Sequence, residues 1–127
     1  QPFIKRYGWL RSDVLLGEVA MQCQVCLHPS VWAADGDCEG GYPVVLADVM
    51  ATGLPVIATT HCDIPELVTP ENGYLCREKN VDDIVAALLD CYNHRTYTQK
   101  SVLSRSTIEE KFDWKILGEK LSEIIRK

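Results

Sequence analysis

The apolar positions along the chain alternate between short, fully apolar runs and longer stretches with helical spacing. Phe3 to Gly8 reads as a short strand that ends at the glycine. Ser12 then reads as a helix cap, with Leu15, Leu16, Val19 and Ala20 following at helical spacing. Val25 to His28 suits a buried strand, Pro55 to Thr59 a second, and Gly73 to Cys76 a third. Between the first two of these lie a long loop, Pro29 to Gly41, and a helix with Pro43 in its first turn. That helix carries Val44 through Ala51 and stops near Gly53. Asp63 and Glu66 have the spacing of a capping box for a short helix, with Pro65 in its first turn. Asn80 caps a long helix whose predicted apolar face is Val81, Ile84, Val85, Leu88 and Leu89. Two further helices follow, one around Tyr97 to Lys111 and one from Asp113 onward. The latter aligns Trp114, Leu117, Leu121, Ile124 and Ile125, and the apolar faces of both are expected to join the core.

Strands that are apolar throughout, alternating with helices, predict an α/β domain: a parallel sheet covered by helices on both faces, spanning 1–127 as one unit. In such sheets ligands collect beyond the carboxyl ends of the strands, in loops that lead into helices. The longest such loop is 29–42, and the site is expected there.

Composition narrows the classes of function. The chain has 127 residues, 46% of them apolar and 24% charged, the balance of a folded globular domain. Its net charge of −5 argues against a nucleic-acid surface and against a patch for anionic membranes. A small phosphorylated ligand stays open, because backbone amides and helix ends bind phosphate without net positive charge. No run is long and apolar enough to span a bilayer, and the first residues carry no signal-peptide pattern. The six cysteines read as free thiols in a reducing cytoplasm, since the strong periodicity does not depend on disulfide staples. The abrupt first strand suggests that the chain starts partway into a domain.

The chemistry concentrates in Glu39-Gly40-Gly41-Tyr42-Pro43-Val44 and, within the helix, Asp48. The glycines let backbone approach a ligand closely. The helix from about Pro43 turns its free N–H groups and positive end toward the loop, a seat for a diphosphate. Glu39 and Asp48 are placed to address one ligand from different sides, and a carboxylate suits the hydroxyl pair of a sugar. The same residues read equally well as a plain turn followed by acids that satisfy the helix dipole. Asp35 and Asp37 read as solvated loop positions.

Other residues invite chemistry less. Cys23, Cys26 and His28 have no second cysteine pair at zinc-site spacing and poor chelate geometry on a strand. His61 and Cys62 are adjacent, and neighbouring residues rarely aim both side chains at one bond, so a nucleophile pair is disfavoured. His61 fits a donor-sugar contact and Cys62 packing. His94 follows a helix end and reads as a cap or as solvated. Trp9, Trp32 and Trp114 read as core or edge packing.

The runs Leu27-His28-Pro29-Ser30, Glu39 to Leu46, Met50 to Thr59 and Ile64-Pro65-Glu66-Leu67-Val68, in that order, resemble group 1 glycosyltransferases. Tyr7-Gly8-Trp9-Leu10 and Asn72-Gly73-Tyr74-Leu75 fall where that family has similar segments, so the likeness covers most of residues 4–90. Glu39-Gly40-Gly41 together with His61 to Glu66 is most similar to enzymes of exopolysaccharide and colanic-acid-type assembly. The resemblance implies a GT-B enzyme with two Rossmann-like domains, of which this chain is the C-terminal, donor-binding one, truncated at its N-terminal side. It further implies transfer from a nucleotide-sugar with retention of configuration, without metal or other cofactor. Glu39 matches the first motif glutamate, which touches the donor sugar. Gly40, Gly41, Tyr42, Pro43 and Val44 match the positions that present backbone groups to sugar and diphosphate. Asp48 falls where the second glutamate holds the ribose. One more residue than the family's spacing separates the two acids, and Asp48 reaches one methylene less far than glutamate.

The family's diphosphate-neutralising basic pair, its acceptor site and most of its acid/base groups come from regions before residue 1, so the isolated chain is expected not to catalyse transfer. The implied partners are a nucleotide-sugar and a glycan or lipid-linked acceptor bound through the missing N-terminal domain. No nucleic acid is expected, self-association through the truncated sheet edge is a further expectation, and the expected location is cytoplasmic, peripheral to the inner membrane for the full enzyme. Two alternatives stay open: a non-catalytic or degenerate nucleotide-sugar-binding module, which Asp48 favours, and a sugar-nucleotide epimerase of the same fold.

Overall fold

The computed structural model describes residues 3–38, 40–93 and 96–126. Three parallel strands, β1 (Cys26–His28), β2 (Val56–Thr59) and β3 (Tyr74–Cys76), form one sheet in the order β1-β2-β3. Cys26 pairs with Val56 and His28 with Ala58, while Ile57 pairs with Tyr74 and Thr59 with Cys76. The central strand β2 is buried along its whole length, as its unbroken apolar sequence predicts.

The pleat of β2 splits the core in two. Val56 and Ala58 face a layer built by Leu46, Val49 and Met50 of α2 (Val44–Ala51) and by Ile64 and Leu67 of α3 (Ile64–Leu67). Ile57 faces the other way, onto Cys76 and onto Ala87 and Cys91 of α4 (Val81–Tyr92). α5 (Tyr97–Lys111) packs on the α2 side, where Ile108 and Phe112 meet the first core layer, and α6 (Trp114–Ile125) ends the described chain. The result is the predicted α/β arrangement with helices on both faces of a parallel sheet.

Several local expectations are corrected. Residues 3–10 form no strand: Phe3, Ile4 and Trp9 are exposed, and no neighbouring strand supplies the ladder bonds that would hold them extended. Arg11, not Ser12, flanks α1 (Ser12–Val14), which runs into a wide π turn (Leu15–Val19) and a 3₁₀ turn (Ala20–Gln22). The Asp63 capping box does not form, since no side chain caps α3. Asn80 does cap α4, accepting from the Asp83 N–H. The α4 face predicted to be buried is largely in solvent: Val81, Val85, Leu88 and Leu89 are exposed, and the inward residues are the small Ala87 and Cys91. α5 buries Lys100 and Ser104 rather than an apolar stripe, and the α6 stripe is exposed, so neither face is ordinary core. Trp9 and Trp114 are likewise exposed rather than packed.

Gly73 is fixed by close approach. A Cβ there would lie 2.6 Å from Val68 Cγ1 and 2.8 Å from the Val56 carbonyl oxygen, so only glycine lets the chain pass into β3. All six cysteines are free thiols. Among the described residues no helix is long and apolar enough to cross a membrane.

Candidate functional site

The carboxyl ends of three parallel strands bring three loops together, and their side chains meet around one imidazole. Beyond β1, the Ser30 carbonyl accepts from the Thr59 hydroxyl at the end of β2. His61, two residues further, is completely buried. Its Nδ1 lies 2.9 Å from Oε1 of Glu78, which follows the end of β3. The other Glu78 oxygen accepts from the Trp32 backbone N–H at 3.2 Å, and the Trp32 ring stands edge-on to His61 with centroids 5.4 Å apart. One carboxylate thus ties all three loops to one another.

This arrangement sets the proton positions. Hydrogen bonding from His61, with the Trp32 N–H adding to it, holds the Glu78 carboxyl below the usual carboxylate range, so Glu78 is the acceptor. In the tautomer that donates Nδ1–H to this carboxylate, Nε2 is free to accept. Cys62 Sγ lies 3.3 Å from that Nε2. The two neighbours do aim at one bond, contrary to the expectation from their adjacency. The backbone at Cys62 takes a left-handed φ of 45° beside this contact. Burial first and the Cys38 thiol second push the Cys62 pKa up, so the sulfur rests as a thiol.

The glycine loop reaches the same place from the other side. Gly40 takes a φ of 77°, a conformation glycine adopts freely. A Cβ on Gly41 would sit 3.8 Å from Asp63 Oδ2, so the loop tip rests against loop 60–63. Pro43 flanks α2 in extended conformation, no side chain caps the helix, and no acid lies in its first turn. Among the described residues the first N–H groups of α2 thus have no side-chain acceptor. Val44 is exposed at that end. Tyr42 turns its ring inward, perpendicular to Phe112 at 5.8 Å, so only its backbone faces the loop. Asp48 is half-buried in a cleft of about 270 Å³ whose walls include Tyr42, Ala47, Phe112 and Leu117. Asp35 and Asp37 are exposed, with Asp37 N–H bonded to Asp35, as expected of solvated loop positions.

Glu39 and His94 lie outside the described residues. The structure brings Gly41 against loop 60–63 and sets Val44 and Asp48 on one helix that Pro43 flanks. His61 lies beneath Trp32 rather than at a surface. Glu78 was not singled out in the sequence. It sits just past a strand's carboxyl end, the position that the rule for parallel sheets marks. No described group of three His, Cys, Asp or Glu residues is arranged to hold a metal ion.

A three-stranded parallel sheet with helices on both faces defines an α/β domain of Rossmann-like type. Residues 1–94 match the family described as glycosyl transferases group 1, and the chain belongs to that family. It is 36% identical over 108 residues to an amylovoran biosynthesis glycosyltransferase of Erwinia amylovora, covering 84% of this chain and 26% of that protein. It is 33% identical over 105 residues to a provisionally named colanic acid biosynthesis glycosyltransferase of Salmonella typhimurium (strain LT2), covering 80% and 26%. Among solved structures it is similar to sucrose-phosphate synthase from Thermosynechococcus elongatus, with a TM-score of 0.68 at 18% identity over 85% of this chain and 26% of that one. The last likeness shows the fold. The chain spans about a quarter of the length of the relatives it matches.

Proposed function

We propose that this chain binds the nucleotide-sugar donor of a glycosyltransferase that passes the sugar, with retention, to a glycan or lipid-linked acceptor. The observation that carries this reading is the uncapped, acid-free start of α2 directly behind the Gly40-Gly41 turn. An α-helix start of this kind binds a diphosphate through backbone N–H groups and the helix dipole, without requiring a metal. Family membership then supplies the sugar and the nucleoside.

In this reading Gly40, Gly41, Tyr42, Pro43 and Val44 present backbone groups to sugar and diphosphate. Asp48, half-buried on the same helix, accepts from the ribose hydroxyls. Glu39 addresses the donor sugar. His61 supports the floor of the site through Glu78 rather than touching the donor directly, because its ring is enclosed. Acceptor binding and turnover belong to the longer protein, in the cytoplasm at the inner membrane, and the chain by itself does not turn over. The open edge of β1, with Leu27 exposed, is the surface on which self-association would occur.

Ligand-observed NMR with UDP-, GDP- and ADP-sugars tests the reading on this chain, with Asp48→Ala as control. Saturation by one donor, weakened at least about tenfold by the substitution, supports it, a loss matching one hydrogen bond to a charged group. Binding that Asp48→Ala leaves unchanged removes the ribose role, and absence of binding at millimolar donor leaves either a diphosphate site completed by segments outside this chain or a degenerate module, which the same test on a longer chain decides.

A further inference from the structure

Trp32 is held more firmly than a half-exposed side chain needs. Its backbone N–H donates to one Glu78 oxygen at 3.2 Å. Its ring stands at 67° to the fully buried His61 imidazole, which the other Glu78 oxygen binds through Nδ1. Two residues back, the Ser30 carbonyl accepts from the Thr59 hydroxyl. Just beyond, Ala33 N–H donates to Asp37 and Gly36 N–H to Ala33, which closes the chain into a tight turn. The indole is thus fixed from both sides in sequence and from beneath, yet 48% of the residue stays in solvent. Trp9 and Trp114 stand further out, and neither has such a seat among the described residues. A rigid, half-open indole leaves apolar surface in water, and it has little rotamer freedom left to lose when a ring-shaped ligand packs on it.

We propose that Trp32 is the sugar platform of the donor site, a specificity-determining residue whose ring packs against the C–H face of the transferred hexose, and that Glu78 and His61 are the positioning residues that hold it there. The choice of the sugar over the base rests on the donor-binding reading above. In that reading the diphosphate lies at the start of α2, and the ribose lies on the Asp48 side, in the cleft bordered by Ile108, Phe112 and Leu117. The Gly41–Asp63 contact puts loop 60–63 on the other flank of the glycine turn, and Trp32 rests on His61 of that loop. A diphosphate carries the nucleoside at one end and the sugar at the other, so the end away from Asp48 belongs to the sugar. A pyranose gathers C–H groups on a face and hydroxyls around its rim. The face suits an indole, while the rim is left for hydrogen bonds.

The test compares UDP-glucose, GDP-mannose and ADP-glucose with the matching free nucleoside diphosphates by saturation-transfer NMR, on this chain and on a longer one. In the parent, the sugar ring protons of the donor that binds should receive strong saturation. Trp32→Ala should weaken that nucleotide-sugar about tenfold, the size of one aromatic contact, and leave the free nucleoside diphosphate within about twofold. Trp32→Phe, which keeps a ring, should retain most of the sugar's contribution. Glu78→Ala should repeat the selective loss, and Glu78→Gln should rescue it. The glutamine carbonyl accepts from the Trp32 N–H while its amide donates to Nδ1 of the reversed imidazole tautomer, a change read in the His61 ring nitrogen shifts. Equal losses for nucleotide-sugar and free nucleotide overturn the platform, as does saturation lost from base protons in place of sugar protons. A sugar contribution unchanged in Glu78→Ala overturns the positioning role. Failure of every nucleotide-sugar to bind both this chain and the longer one overturns the donor reading, and the platform with it.

Discussion

Helices α5 and α6 reverse what their sequences promise. α5 has no apolar stripe, yet Lys100 is only 8% exposed and Ser104 is fully buried. α6 carries a clear stripe, yet Trp114 is 75% exposed and Ile124 69%. The difference lies in what each helix is offered. The C-terminal end of α2 and the turn after it present carbonyls with no intrahelical partner, and α5 supplies the donors. Arg105 bonds the Ala51 carbonyl at 2.8 Å, Ser101 that of Gly53 at 2.7 Å, and Ser104 that of Leu54. Further along, the Lys100 ammonium donates to the carbonyls of Pro70 and Gly73 and lies over the Tyr74 ring. Among the described residues, α6 borders the Asp48 cleft at Leu117 and makes no comparable set of hydrogen bonds to backbone carbonyls of other elements. Apolar periodicity says what a helix is able to bury, while unsatisfied backbone decides where a polar helix docks.

The largest effects should come from the central donor of α5 and the junction it serves. Lys100→Met keeps the aliphatic stem but strips the buried Gly73 carbonyl and the more open Pro70 carbonyl of their partner, and a loss of about 2 kcal/mol in urea-unfolding stability is expected. A loss under about 0.5 kcal/mol would mean that the ammonium merely tolerates its position. Gly73→Ala attacks the same junction from the strand side. The new methyl would lie 2.6 Å from Val68 Cγ1 and 2.8 Å from the Val56 oxygen, so a loss of about 2 kcal/mol is expected, because backbone yields less readily than a side-chain end.

The junction also shows how much was legible in the sequence. The three strands, the helices α2 to α6 and their order follow from apolar runs and helical spacing, because β2 is buried on both faces and nothing competes with that reading. The glycine loop was legible because Gly40 needs a left-handed φ and α2 begins directly behind it. What escaped depends on distant partners. Lys100 looks like a solvated charge until the Gly73 carbonyl is placed beside it, and Glu78 looks like a surface acid until β3 sets it under His61. The α4 face failed differently: the pattern was correct, but no described element covers Val85, Leu88 and Leu89.

A smaller, pH-dependent effect separates capping from burial at the start of α4. Arg77 forms paired hydrogen bonds with Asp83 at 2.8 Å each, and its side chain and backbone N–H together hold the Asp83 carboxyl at about 2. A carboxyl lowered in the folded state binds fewer protons there than in the unfolded chain, so stability falls as the medium is acidified. The contribution is complete above the ordinary aspartate range and disappears as pH falls through it toward about 2. Acid unfolding followed by circular dichroism should therefore be less steep in Asp83→Asn across that window. An unchanged slope would place the acid sensitivity elsewhere, Glu71 and Glu78 being the other lowered carboxyls among the described residues.

The smallest expected effect completes the contrast with α5. Leu121 is 57% exposed on α6, and Leu121→Gln removes apolar surface that is already in water. Helix propensity barely changes, so stability should stay within about 0.5 kcal/mol of the parent. Solubility should rise, because an exposed stripe that includes Trp114, Ile124 and Ile125 is the kind of patch that drives association. Urea unfolding and sedimentation of the two proteins decide the point. A loss above about 1.5 kcal/mol would mean that the stripe is buried in solution, as in a dimer whose interface includes α6. In that case α6 would be docked through its periodicity after all, and the contrast with α5 would concern partners rather than principle.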